Sequence, residues 1–404
     1  MKIGILTYFW VDNPGQFLQA YSTQQALAQA APAASVEIVD VRHRPPEPVR
    51  WGRLLRPRRF RTQWRRRRAY RQAQEHLCLS GQSLLTGDYA QANAFVDSLG
   101  YDLLTVGSDV VLSVSKASRD AARGPGVYWL APSVRARRAM LAASAGQTRW
   151  DALTDAQRQT LLASAQKFDF FGVRDDATGH LLAEMGFAQD PRLRLVPDPT
   201  FAYRISESHV EEARARLAAL HLRPGGPIVG LHLPDTELTR AVLAGLRAAR
   251  PDLQFVCTSS GRLPGCAAVN DLSPWQWSGM FAHLTAMLTV SFHDSVFSLK
   301  SGTPVVAIDV SESRIDVQAN RSKTRHLMSM FGLETTHHVN PFAVADTPAM
   351  CRTILQGWEN FDAAAVRARA EQLGEEYRQA VRHVVKLASP ENAGAAGIPP
   401  AARA

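Results

Sequence analysis

The chain has 404 residues, 46% of them hydrophobic and 21% charged, which suits a folded protein of two or three domains and excludes a fibrous or largely disordered one. Its formal net charge is +9. Four cysteines, at 78, 257, 266 and 351, form no Cys-x-x-Cys pair or His/Cys cluster, so no metal site or disulfide framework is expected and a reducing cytoplasm fits.

Lys2–Tyr8 is predicted as a first strand, too short an apolar run for a signal peptide. No run approaches the roughly 20 apolar residues that a spanning helix needs. Asn13-Pro14-Gly15 reads as a turn, Gln16 to about Ala30 as a helix and Val36–Val41 as a second strand. Gly-x-Gly-x-x-Gly is absent, so this β–loop–α–β start lacks the dinucleotide fingerprint. Residues 50–71 hold eleven arginines, with Trp51, Phe60, Trp64 and Tyr70 interleaved. Such a stretch is either a solvated face or insertion, or a docking surface for an anionic membrane. No recognisable nucleic-acid-binding module accompanies it, so nucleic acid ranks below membrane.

Tyr101–Thr105 is a strand running into Gly107-Ser108-Asp109, and Arg138–Ser144 another, ending in small residues. A helix is expected over 154–166, capped by Thr154 or Asp155, and a strand over Phe168–Val173. Arg174 then stands at a strand's C-terminal end, either as an anion clamp or in an ion pair with Asp175 or Asp176. Leu193–Val196 is a short strand and Pro197-Asp-Pro-Thr200 a rigid turn.

A charged helix and an Arg-Pro-Gly-Gly-Pro loop mark 204–226 as a linker, after which a second α/β pattern begins. Pro227–Leu233 and Gln254–Thr258 are strands, Thr236–Ala249 and Ser273–His283 helices. The segment 286–309 reads as one strand–helix–strand unit, with Asp294 or Ser295 capping a helix over about 295–301, Gly302 ending it and Val305–Ile308 as a buried strand. His293 thus falls at a strand's C-terminal end beside a helix start, where α/β sheets bind ligands and free amides attract anions. An imidazole there is either an acid/base group or a capping and packing residue. A short helix near 324–331 and a long one over about 361–387 follow. The pattern predicts an α/β protein of two doubly wound domains facing a cleft: residues 1–203 with an Arg-rich insertion at about 45–75, the linker 204–226, residues 227–345, C-terminal helices over 346–388 and a disordered tail 389–404.

Several blocks then match one family. They are Tyr8-Phe-Trp-Val-Asp-Asn-Pro-Gly-Gln-Phe-Leu-Gln-Ala-Tyr21, Tyr101-Asp with Val106-Gly-Ser-Asp109, Ala142-Ala-Ser-Ala-Gly146, Gly172-Val-Arg-Asp175, Val196-Pro-Asp-Pro-Thr200, Ser291-Phe-His293, Phe297-Ser-Leu299 and Gly302-Thr-Pro-Val-Val306. In this order, over about residues 1–335, they resemble the polysaccharide pyruvyl transferase family. The resemblance implies two Rossmann-like domains in a glycosyltransferase-B-like arrangement. It also implies transfer of pyruvate from phosphoenolpyruvate onto two hydroxyls of a sugar, giving a cyclic ketal, with phosphoenolpyruvate as co-substrate and no cofactor.

That chemistry needs a proton at the methylene carbon, a base for each attacking hydroxyl and cations for the phosphate and carboxylate. By the resemblance His293 is the family's functional histidine, and an ordinary imidazole pKa suits it to act as acid or base. Arg174 and one of Arg321, Lys323 or Arg325 clamp the donor, with Ser295 at the helix start. Asn13, Gly15, Ser108, Asp109 and Ser144 are candidates for the acceptor sugar, though each also suits a turn. Asp294 would compete with a bound anion and is expected instead to orient His293. The acceptor is a sugar of a polysaccharide or lipid-linked glycan, and the protein is expected in the cytoplasm or peripherally on the membrane's inner face. Two other readings remain open. One is a sugar-nucleotide glycosyltransferase of the same architecture, and the other a catalytically silent scaffold in polysaccharide assembly.

Overall fold

A computed structural model describes residues 1–42, 57–114, 126–258, 262–309, 322–343 and 346–389; of residues 57–61 it describes the backbone alone. The expected tail beyond Ser389, the start of the Arg-rich segment and Arg321 lie outside these residues.

Apolar runs buried on both faces become the central parallel strands, and more exposed strands flank them. In the first half these are β1 (Lys2–Leu6), β2 (Ser35–Arg42), β3 (Leu79–Leu85), β4 (Leu103–Val106), β5 (Arg137–Ala143), β6 (Phe170–Val173) and β7 (Leu193–Leu195). They pair in the order β3-β2-β1-β4-β5-β6-β7, every pair parallel. The second half supplies β8 (Ile228–His232), β9 (Gln254–Cys257), β10 (Ala267–Ala268), β11 (Ala286–Thr289), β12 (Val305–Ile308) and β13 (His338–Val339). These form a second parallel sheet, β10-β9-β8-β11-β12-β13. In both sheets the chain starts in the middle, runs out one side and then out the other, so each has a switch point where ligands bind.

Helices cover both faces, and several start as the sequence predicts. Thr154 caps Asp155–Ala165 in a reciprocal box with Gln157, and Ser273 does the same for Pro274–Met280 with Gln276. Gly302 ends its helix at φ 70°, a left-handed turn that suits glycine. The start of that helix differs from expectation. It spans Phe292–Ser301 and is capped by Ser291, whose hydroxyl accepts the amide of Asp294 at 3.4 Å, so His293 and Asp294 lie inside the first turn.

The largest apolar core lies between the sheets rather than within either one. Phe17 and Leu18 of the helix Pro14–Ala30 meet Phe201, Trp277, Phe281 and Phe297 there, joined by Val366, Leu373 and Tyr377 of the helix Ala363–Leu387. Tyr377 donates its hydroxyl proton to Thr23 at 3.2 Å, tying the C-terminal helix to the first half. The segment read as a linker contains the helix Glu207–Ala218, whose Ala213 and Leu217 also enter this core. Lys300, half-buried on the helix Phe292–Ser301, donates to the carbonyls of Thr200, Phe201 and Tyr203 and closes the seam. Among the described residues no helix is long and apolar enough to cross a membrane.

The described part of the Arg-rich stretch lies in the helix Pro57–Gln74. Tyr70 is buried, while Trp64, Arg65, Arg68 and Arg71 face solvent. Arg66 turns inward and donates to the carbonyl of Asp12 at 2.5 Å.

Candidate active site

The C-terminal ends of both sheets open onto one cavity of about 800 Å³. From the first half Asn13, Gln16, Asp109, Ser144 and Arg174 line it, and from the second His232, His293, Asp309, Lys323, Arg325 and His326. The size falls in the range of small-molecule sites.

His293 is placed by β11 and the first turn of the following helix. Its side chain is 12% exposed. Gly15 lies directly against the ring, so close that a β-carbon there would stand 2.3 Å from its Cγ and Nδ1. This contact, rather than sugar binding, is the position that the structure gives Gly15. Nε2 is buried, has no hydrogen-bond partner among the described residues and faces Asp198 Oδ2 at 3.8 Å. Burial lowers the imidazole pKa; the charge of Asp198 opposes that and Arg174 reinforces it.

Asp198 caps the short turn Pro199–Phe201 and is fully buried. Its Oδ2 lies 2.7 Å from Arg174 Nη1, and its Oδ1 accepts the Thr200 amide and hydroxyl at 3.0 and 2.6 Å. Burial alone would raise its carboxyl pKa, but His293, Arg174 and Thr200 together hold it below the ordinary value. Arg174, itself buried, also lies 3.9 Å from Asp109 and 4.7 Å over the Phe292 ring. Burial would lower its pKa, yet Asp198, Asp109 and Asp175 raise it. The ion-pair alternative for Arg174 therefore needs correction. It does form an ion pair, but with Asp198 across 24 residues and not with Asp175 or Asp176. Asp175 instead caps the helix Asp176–Leu182, accepting from Thr178.

Asp109 sits at φ 77°, an uncommon conformation outside glycine. Its Oδ2 accepts Gln16 Nε2 at 2.7 Å and its Oδ1 the Val110 amide at 2.8 Å, so the residue bridges β4's end to the helix Pro14–Ala30. Asn13 caps that helix by accepting the Gln16 amide at 3.1 Å. Ser144 lines the cavity while accepting from the Gly146 amide. Ser108 does not reach it: the residue is fully buried and donates to Gln19 Oε1 at 2.7 Å. Ser295 is likewise buried and donates back to the Ser291 carbonyl.

Asp294 also departs from expectation. It does not orient His293; its Oδ2 accepts His232 Nδ1 at 2.5 Å and the Thr289 hydroxyl at 3.1 Å. His232, at the end of β8, is 36% exposed into the cavity and was not singled out in the sequence. Neither was His326, whose Nδ1 meets Asp176 Oδ2 at 2.8 Å across the cleft. Nor was His338, which donates to Asp309 at 2.9 Å. Each lies far in sequence from its carboxylate, so no local spacing signals the pair. Among the described residues no group of three or more His, Cys, Asp or Glu is placed to hold a metal ion.

The sequence profile of the polysaccharide pyruvyl transferase family matches residues 13–312, a span that includes His293, Arg174, Asp198 and His232. No functionally curated protein matches the chain. Among solved structures it is similar to UDP-GlcNAc 2-epimerase from Neisseria meningitidis bound to UDP-GlcNAc, at 7% identity over 96% of this chain and 100% of that one, with a TM-score of 0.58. It is also similar to UDP-GlcNAc 2-epimerase from Methanocaldococcus jannaschii, at 9% identity over 96% and 100% of the chains with a TM-score of 0.54. A third is an Anabaena protein in complex with UDP and glucose, at 10% identity over 96% and 98% with a TM-score of 0.54. At such identities the likeness is one of fold, the two-domain glycosyltransferase-B architecture.

Proposed function

The chain belongs to the polysaccharide pyruvyl transferase family, and from that premise we propose that it transfers pyruvate from phosphoenolpyruvate to two hydroxyls of one sugar, closing a cyclic ketal during assembly of a polysaccharide or glycolipid. The observation that carries the reading is the placement of His293. Its Nε2 has no hydrogen-bond partner among the described residues, its ring is backed by the Asp198–Arg174 pair, and Lys323 and Arg325 line the same cavity.

Burial keeps the ring neutral near pH 7, so it starts as a base. It takes the proton of the first attacking hydroxyl and returns one to the methylene carbon, which becomes the ketal's methyl group. In between, the imidazolium is stabilised by Asp198, which Arg174 and Thr200 keep ionised against the effect of burial. Lys323 and Arg325 hold the donor's phosphate and carboxylate. The helices Pro14–Ala30 and Phe292–Ser301 add the partial positive charge of their starts. Asn13, Asp109 and Ser144, which line the same cavity, orient the acceptor sugar. The exposed arginines of the helix Pro57–Gln74 bring the protein to an anionic membrane that carries such an acceptor.

The test is incubation with phosphoenolpyruvate and a panel of glycans and glycolipids, following phosphate release and the methyl resonance of the product. Release of phosphate with a new methyl singlet supports the reading. Calorimetric binding of a UDP-sugar without binding of phosphoenolpyruvate refutes it in favour of a sugar-nucleotide transferase.

A further inference from the structure

Proton accounting leaves a task that His293 does not perform. Two sugar hydroxyls each lose a proton when a ketal forms. One proton ends on the donor's methylene carbon. The other leaves with the phosphate, which departs with the electron pair of the C–O bond. His293 accepts and returns the first proton. The second hydroxyl attacks the oxocarbenium carbon in a separate step, as phosphate leaves, and needs an acceptor within its own reach.

We infer that His232, oriented by Asp294, is that second proton acceptor; the inference rests on the ketal-forming reading above. Four observations support it. His232 stands at the C-terminal end of β8, next to β11, which leads into His293, so the two histidines come from neighbouring strands onto one cavity. Its side chain is 36% exposed there, unlike the buried His337 and His338. Its Nδ1 donates to a carboxylate 2% exposed at 2.5 Å, which fixes the tautomer that carries the basic lone pair on Nε2. That carboxylate is held in turn by the Thr289 hydroxyl, itself an acceptor for the Ser291 amide. An imidazole aimed by a buried carboxylate is the arrangement that accepts a proton from a hydroxyl during its attack. His232 is thus a catalytic residue and Asp294 a positioning residue. The carboxylate that would repel an anion at the helix start is directed away from it, onto β8.

In the second step the new C–O bond closes the ring, the hydroxyl's proton passes to Nε2 of His232, and the ring later releases it to the departed phosphate or to water. If the second attack fails, the oxocarbenium has another outlet. It loses a methyl proton and becomes an enolpyruvyl ether, an isomer of the ketal with the same mass. The ketal shows a methyl singlet, the ether a pair of vinyl protons.

The experiment compares wild type with His232→Gln, His232→Asn and Asp294→Asn. Each is incubated with phosphoenolpyruvate and the acceptor found in the glycan panel, with phosphate release and proton NMR read together. His232→Asn sets an amide donor near the position of Nδ1, so the Asp294 carboxylate keeps a partner while the basic nitrogen is lost. The expected result is a fall in ketal of about 10²-fold or more, a much smaller fall in phosphate release, and vinyl resonances in place of the methyl singlet. A structural role would lower both readouts together. Equal losses in ketal and phosphate, or near-wild-type ketal in His232→Asn, overturn the inference while leaving the ketal reading intact. Wild type that releases no phosphate with any glycan and does not bind phosphoenolpyruvate defeats the ketal reading, and the role of His232 falls with it.

Discussion

Gly15→Ala separates the chemistry from the fold. Gly15 is in the first turn of the helix Pro14–Ala30, and an added β-carbon would stand 2.3 Å from Cγ and Nδ1 of His293 and 2.7 Å from its Cβ. Ordinary contacts begin near 3.4 Å. The ring must therefore recede by about 1 Å, and a misplacement of that size costs on the order of 10²-fold in rate. Stability responds differently. Alanine favours the helix by up to about 1 kcal/mol over glycine, and crowding costs roughly 1–3 kcal/mol. The balance is a loss of about 0–2 kcal/mol, a few degrees of Tm in a chain of this size. The assay is kcat for ketal formation alongside a thermal melt and calorimetric binding of phosphoenolpyruvate. The expected result is a kcat down about 100-fold with the melt and donor binding little changed. A kcat within threefold of wild type would refute both the contact and the role of the ring behind it.

Asp198→Asn leaves buried Arg174 with only the more distant Asp109 and should cost about 3–5 kcal/mol in urea denaturation; an unchanged midpoint would mean that the pair is not held as described. Burial places the folded His293 pKa below 6.5, so the active neutral form is lost only as pH falls through that lowered value, and kcat/KM should decline on the acid side below pH 6.5 and not at or above it. The same shift makes folding stability fall with pH below 6.5, because the unfolded ring binds its proton first; His293→Asn should lose both effects. Lys323→Gln with Arg325→Gln should raise KM for phosphoenolpyruvate at least tenfold with a smaller change in kcat, whereas an unchanged KM would remove that wall as the donor clamp. Replacing Arg65, Arg68 and Arg71 by glutamine should abolish pelleting with acidic liposomes at low salt, and equal pelleting would leave those arginines as a solvated face.

Local signals were legible in the sequence, and distant partnerships were not. Gly302, the capping pairs Thr154–Gln157 and Ser273–Gln276, and the buried runs of β4, β11 and β12 carry their signals within a few residues. β10 and β13 have two residues each, too few to show a period. β3, an edge strand with Ser, Gly and Gln in its middle, reads as a loop. His293 was recognisable because the strand, the helix start and the imidazole are contiguous. Asp198 read only as part of a rigid turn, since its significance depends on residues 174 and 293. His232 stands alone in Gly-Leu-His-Leu-Pro, and its partner lies 62 residues on. Ser108 was placed on the ligand side because strand-end loops usually face it, but Gln19 takes its hydroxyl inward.

The charges around the cavity say where a trianionic donor can sit. Asp109, Asp175, Asp176 and Asp309 all line it and would repel such a ligand if uncompensated. Each has a local role instead: Asp109 accepts from Gln16, Asp175 from Thr178, Asp176 pairs with His326 and Asp309 with His338. Arg174 is shared between two aspartates and has little charge left to offer a phosphate. On the proposed reading, the donor's attraction would come from Lys323, Arg325 and the two helix starts, beside His293. Arg174 acts one layer back. By fixing Asp198 as an ionised carboxylate 3.8 Å from Nε2, it would, in the proposed mechanism, let a ring that burial keeps neutral become an imidazolium for the length of a proton transfer. A lysine in its place would keep the charge but not the planar fork that faces both carboxylates while lying over Phe292, so the exchange would not be conservative here.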